Sequence, residues 1–227
     1  MQEARETMLS HGGCNAPRCV SSIISNTLYN VTYTMDQKLG THYHERFLEF
    51  LKEVHSKDLV ISGGVTDVKG DRSKRPTQQA DPDMYVHLVE RKDDGIIIRG
   101  AKAHQSFVML CDYCIMCPTV LAREDEKDYA IVCAVPLNAE GIVHILQCST
   151  SDHKRFYEDL DIDLGNAKYG THPSSVMIFD NVFVPWERVF MCGEYQFIPD
   201  LLMNFGRHQR LGCADCKTTV ARLMAGA

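Results

Sequence analysis

The stretch Asp93–Ser106 reads DDGIIIRGAKAHQS: a turn, three consecutive isoleucines, and three hydrogen-bonding side chains at its end. β-Branched residues behind a glycine turn predict a strand whose tip carries His104, Gln105 and Ser106. Similar short runs lie on both sides, DLVISGG, MYVHLVE, YAIVCAVPL, GIVHILQCS and SSVMIFDNVFVP, separated by turn signals such as NAEG and DLGNAKYG. This spacing predicts an antiparallel barrel or sandwich over residues 58–189 in preference to alternating βαβ units. Before it, Phe47, Leu48, Phe50, Leu51 and Val54 in HERFLEFLKEVH form one apolar helical stripe within a helical segment, 1–57. After Pro185-Trp186 the pattern is helical again, with Leu201, Leu202, Phe205 and Leu211 on one side of a segment assigned to 190–227. The predicted class is α+β, a small barrel between helices.

Composition narrows the function. The 227 residues carry a net charge of −6, which gives no general attraction to nucleic acid or anionic membranes. No apolar run approaches the roughly 18–20 residues of a membrane span, and MQEARETMLSHGG lacks the apolar core of a signal peptide. Ten cysteines then point to a reducing, cytoplasmic setting, with thiols free, catalytic or metal-bound. Neither end carries a helix start or stop signal, so the sequence is expected to be a fragment or short form lacking a C-terminal helical partner.

Three motifs carry chemistry. VTDVKGDRSKRP opens on Thr66, Asp67, Lys69, Gly70, Asp71 and Arg72 at the end of a predicted strand. Hydroxyls and backbone N–H groups there suit a flat polar ring or a pyrophosphate, against the alternative of a solvated loop. Lys69, Arg72, Lys74 and Arg75 form a basic knot able to grip phosphates. The tip at His104–Ser106 is expected to converge with Thr66 on one pocket; a buried, satisfied His104 is the structural alternative. LCDYCIMCP spaces Cys111, Cys114 and Cys117 like a ferredoxin run, but Thr119, Val120 and Leu121 fill the space where a fourth cysteine belongs. On an extended chain Cys114 also faces away from the other two, so buried or flavin-adjacent thiols are the reading adopted.

TDVKGDRSKRP, DPDMYV, DDGIIIRGAKAHQS, IDLGN and FDNVFVPWERVFMCGEY together, in this order, resemble the 4-hydroxybutyryl-CoA dehydratase / 4-hydroxyphenylacetate 3-hydroxylase family. The resemblance implies an acyl-CoA-dehydrogenase-like fold with N-terminal helices, a middle β-barrel and a C-terminal bundle, assembled as a homotetramer. It implies FAD, held by Val65, Thr66, Asp67, Val68, Lys69, Gly70, Asp71 and Arg72 and by His104, Gln105 and Ser106. It also implies, in the dehydratase branch, a [4Fe–4S] cluster on Cys-x3-Cys and His-x6-Cys pairs. Cys19 and Cys216 fall on two of those positions, Asn15 and Gln209 on the others, with Cys14 and His208 each one residue early. Pro17 and Gly206 are the residues that would bend the helices to restore their reach. The family's substrate-side glutamate falls in THPSSV, where Ser174 stands, and Cys213 replaces a tyrosine. The activity implied is loss of water or a double-bond shift in a 4-hydroxyacyl-CoA, with His208 an alternative base. The other branch implies a cluster-free flavin monooxygenase of phenols, for which Arg18 is the candidate phenolate grip. A remnant that binds no flavin is a third possibility.

Overall fold

The computed structural model describes the backbone of residues 16–147 and 174–225, and side chains over 20–147 and 174–210. Cys14, Asn15 and the turn at DLGNAKYG lie outside the described residues, as do the side chains of Pro17, Arg18, Cys19, Cys213 and Cys216.

Two helices open the described chain, α1 (Ala16–Leu39) and α2 (Tyr43–Ser56). Gly40, at φ +68°, takes the left-handed conformation that ends α1. Asp36, one turn earlier, accepts hydrogen bonds from the Tyr43 and His44 backbone N–H groups, each at 2.9 Å, and so caps α2 from its neighbour. Tyr43, Phe47, Phe50 and Val54 are the buried stripe of α2, while Leu48 and Leu51 sit half-buried at its margin. Burying a phenylalanine contributes about 1.5–3 kcal/mol, and Phe47 and Phe50 are both fully buried against Phe190.

Eight strands follow among the described residues: β1 (Ile61–Gly64), β2 (His87–Arg91), β3 (Gly95–Ser106), β4 (Tyr113–Met116), β5 (Ile131–Pro136), β6 (Ile142–Gln147), β7 (Ser174–Pro185) and β8 (Val189–Cys192). They do not close into the predicted barrel. They form two four-stranded sheets, ordered β1-β4-β5-β8 and β2-β3-β7-β6. β1 pairs parallel to β4, and the other pairs are antiparallel. The first sheet is buried almost throughout, with α1 against β1, α2 against β8, and β3 and β7 of the second sheet against β1 and β5. Short strands buried on both faces carry no alternating pattern, which is why β4 and β8 are not evident in the sequence. β8 also occupies residues assigned to the returning helix. That helix, α3 (Ile198–Ala225), packs on α1; among the described residues it stands alone, without the rest of the expected bundle.

β3 and β7 are the long spine of the second sheet, paired from Gly95↔Pro185 to Ser106↔Ser174. Gly100 interrupts the register at φ +131°. A Cβ there would overlap the Tyr85 carbonyl oxygen and stand 2.6 Å from Val86 Cα, so only glycine lets this backbone cross the spine.

Candidate cofactor site

The tip of β3 is wrung by two non-glycine residues in left-handed backbone, His104 (φ +57°) and Phe107 (φ +60°). The accompanying register shift against β7 turns Gln105 inward and leaves His104 and Ser106 exposed. His104 is therefore not the buried, satisfied residue of the structural alternative. Left-handed backbone at such residues costs energy, and its clustering marks this tip as a place to look for function.

The loop after β1 comes to this tip. The Thr66 carbonyl accepts from the Ala103 N–H at 2.9 Å and from Gln105 Nε2 at 3.2 Å, and Asp67 bridges Lys102 in antiparallel sense. The two strand ends expected to converge are thus joined by backbone. Beyond them Lys69 (φ +74°) and Gly70 (φ +51°) make a left-handed turn, held where the Tyr85 hydroxyl donates to the Lys69 carbonyl at 3.3 Å. Gln79 closes the loop further, accepting from the Asp71 N–H at 3.0 Å and donating to the Asp71 carbonyl at 2.8 Å. These bonds hold the loop in one conformation while Val68, Gly70, Asp71 and Arg72 stay exposed to solvent.

Lys102 fastens the junction and was not singled out from sequence. Its Nζ donates to Asp67 Oδ1, to the Val65 carbonyl at 3.2 Å and to the Cys117 carbonyl at 2.7 Å, at 2% exposure. Thr119 donates to the other oxygen of Asp67. The signal was present: Lys102 shares strand phase with buried Ile96 and Ile98, and a charge at an inward position requires a partner. The carboxylate of Asp67 is consequently committed, as is the amide of Gln105, which also donates to the Ala103 carbonyl. Val68, Gly70, Asp71, Arg72, His104 and Ser106 are the predicted residues left exposed. Among the described residues Ser106 Oγ meets only Ser174 Oγ, at 3.2 Å.

The basic knot divides. Arg75 Nε donates to Glu126 Oε1 at 2.9 Å and Nη2 to the Leu121 carbonyl at 2.7 Å, so it serves the fold. This bond from Arg75 holds the buried Glu126 carboxyl below its usual range. Lys74 lies 3.8 Å from Asp71. Lys69 and Arg72 make no ion pair with the described residues and remain available to an anion.

Gly63 brings α1 close to this loop: a Cβ there would stand 2.8 Å from Val20 Cγ1. The turn bearing Arg18 and Cys19 therefore begins beside the chain that leads to Thr66. Pro17 falls in the first turn of α1, where its missing N–H costs nothing, and α3 runs unbroken through Gly206. Gly206 does not supply the expected bend, and Cys14, whose reach Pro17 is expected to restore, lies outside the described residues. On that continuous helix His208 and position 216 lie about 80° apart around the axis, against about 20° for position 209. His208 is half-buried, and Gln209 supplies no ordinary iron donor. Of the two positions without a matching residue, 209 lies on this helix, and 15 lies outside the described residues. Among the described residues no group of three His, Cys, Asp or Glu is placed to hold a metal.

The ferredoxin-like run is core. Cys114 and Cys117 are buried in and just after β4, and burial pushes the Cys117 thiol up to about 12 and that of Cys114 higher. Burial raises half-buried Cys111 to about 11.

The family model described as 4-hydroxyphenylacetate 3-hydroxylase N terminal matches residues 1–191. The chain belongs to this family. It is 40% identical over 210 residues to the 4-hydroxybutyryl-CoA dehydratase/vinylacetyl-CoA-Δ-isomerase of Clostridium aminobutyricum, covering 92% of this chain and 43% of that one. An oxygen-tolerant archaeal 4-hydroxybutyryl-CoA dehydratase from N. maritimus superposes with a TM-score of 0.86 at 40% identity, over 99% of this chain and 44% of that one. The oxygenase component of 4-hydroxyphenylacetate 3-monooxygenase, solved with FAD, shares the fold at a TM-score of 0.77 and 21% identity, over 99% and 44%. The likeness extends to glutaryl-coenzyme A dehydrogenase, with a TM-score of 0.50 at 17% identity over 78% and 38%. The chain thus has an α+β architecture that shares its fold with glutaryl-coenzyme A dehydrogenase, and it spans less than half the length of the relatives it matches. No described helix is long and apolar enough to cross a membrane.

Proposed function

We propose that this chain is the flavin-cradling part of a FAD-dependent dehydratase or isomerase acting on a 4-hydroxyacyl-CoA. The observation that carries the reading is the hydrogen-bonded junction of the Val65–Arg72 loop with the His104–Ser106 tip, in a chain 40% identical to a dehydratase/isomerase over nearly its whole length.

The residues fit FAD. Ser106 offers an exposed hydroxyl, His104 makes no hydrogen bond with the described residues, and Lys69 and Arg72 supply unpaired positive charge beside them. When bound, FAD supplies the electron transfer that lets an unactivated C–H bond lose its proton. The chain's own part is to orient. Ser106 and His104 present polar groups to the ring, and the Lys102–Asp67 pair fixes the strand ends that carry them. Exposed Val143, Ile145 and Phe183 on the second sheet suit the family's oligomer. No step is assigned to a cluster, because two of its four positions carry Asn15 and Gln209, which are not ordinary iron donors.

That mismatch favours a second reading, a cluster-free flavin monooxygenase in which Arg18 grips a phenolate. Flavin, iron and sulfide per chain, measured on protein purified under argon, separate the two. FAD near one per chain, with water lost from 4-hydroxybutyryl-CoA detected by mass, supports the first. Iron-free yellow protein that hydroxylates a phenol with reduced flavin supports the second. Absence of any retained or added flavin sinks both.

A further inference from the structure

At the other end of the β3–β7 spine lies a cleft that nothing above uses. Its volume is about 370 Å³, and it is lined by Thr41, His42, Tyr43, Arg46, Arg91 and Trp186. Gly95↔Pro185 marks this end of the strand pair and Ser106↔Ser174 the other, so roughly 35 Å of strand separates the cleft from the flavin tip. Its occupant is independent of the flavin reading.

The cleft holds two guanidinium groups and no lining carboxylate. Arg46 lies 5.5 Å from the Tyr43 ring centroid and 5.6 Å from that of Trp186, which fixes its plane without neutralising it. Arg91 is anchored through one Nη2 bond to the Cys192 carbonyl. Neither arginine makes an ion pair with the described residues. The neighbouring carboxylates accept hydrogen bonds from neutral donors rather than from the arginines. Glu194 accepts the Tyr43 hydroxyl at 3.0 Å and the Cys192 N–H at 2.7 Å, while Asp36 caps α2 and accepts the Thr41 hydroxyl at 2.6 Å. Because Asp36 satisfies the start of α2, the helix end is not the attraction. Glu45 lies 3.4 Å from His42 on the exposed side. Trp186 is held by its indole N–H, which donates to the Lys92 carbonyl at 3.1 Å, so the ring is a fixed wall.

Unneutralised arginines beside a fixed indole are the chemistry that recognises an aromatic ring joined to a phosphate. In a chain of net charge −6, two such arginines in one cleft are not explained by a general basic surface. We propose that this cleft is a nucleotide site, binding a nucleoside monophosphate with its phosphate on Arg46 and Arg91 and its base against Trp186.

The test is direct because Trp186 is the only tryptophan in the chain, so emission excited at the indole's red edge reports this cleft alone. Titration of the intact chain with AMP should quench it saturably, with a midpoint below about 1 mM. Adenosine, which lacks the phosphate, and inorganic phosphate, which lacks the ring, should each bind at least tenfold more weakly. R91Q should also weaken AMP at least tenfold, with an unchanged far-UV circular dichroism spectrum. A linear, unsaturable response, or equal quenching by adenosine, overturns the proposal, and these wild-type titrations decide it even if the variant does not fold. Unaltered AMP binding in folded R91Q overturns it as well.

Discussion

Replacing Lys102 by methionine keeps most of the stem and deletes the ammonium that joins Asp67, Val65 and Cys117. Asp67, at 4% exposure, is left with one hydrogen bond, from Thr119. Removing one partner of a buried ion pair costs about 3–5 kcal/mol, chiefly because the other charge is stranded. For a chain of this size each kcal/mol lowers Tm by about 2–4 °C, so K102M should melt about 6–20 °C lower. Adding D67N removes the stranded charge, and the double variant should return to within about 2 kcal/mol of the parent. Urea unfolding followed by circular dichroism gives the four corners of the cycle. If K102M loses less than about 1 kcal/mol, or if the two changes simply add, the pair does not fasten the junction and the account of the cradle is wrong.

The Arg75–Glu126 pair makes a pH prediction. The folded-state pKa of Glu126 is depressed, so its stabilisation is present above the ordinary glutamate value of 4.5 and lost as pH falls through the lower folded value. R75Q should remove that acid sensitivity and, by leaving the carboxyl desolvated, make the variant relatively more stable as pH drops towards 5, read from Tm against pH. Gly100→Ala should destabilise by about 2–5 kcal/mol through collision with Tyr85 and strain at φ +131°, measured by chemical unfolding. Native-state labelling at pH 8 with peptide mapping should leave Cys114, Cys117 and Cys133 unmodified until urea is added, because all three are buried with raised thiol pKa values. Rapid modification of any of them in the folded chain would contradict the packing of β4 and β5.

Much of this was legible in the residues. The stripe of α2 and the whole of β3 follow from periodicity and turns, and the meeting of Thr66 with the Gln105 tip follows from two strand ends that both carry hydrogen-bonding residues. What escaped was non-local. The parallel pairing of β1 with β4 and the split into two sheets depend on partners far apart in sequence, Ile61 with Tyr113 and Gly95 with Pro185 among them, which alternation does not encode. The expected unwinding at Gly206 failed because one glycine costs a helix only about 1 kcal/mol, which neighbouring turns absorb. Lys102 was overlooked because lysine ordinarily reads as surface, although its strand phase pointed inward.

The β3–β7 spine has a consequence for biosynthesis. Ser106 leaves the ribosome about 80 residues before Pro185, and at ordinary elongation rates β3 waits roughly 4–16 s for the strand that covers its edge. During that interval an isoleucine-rich edge is bare, and nascent chains stalled just before Ser174 should be far more protease-sensitive than chains stalled well past Pro185.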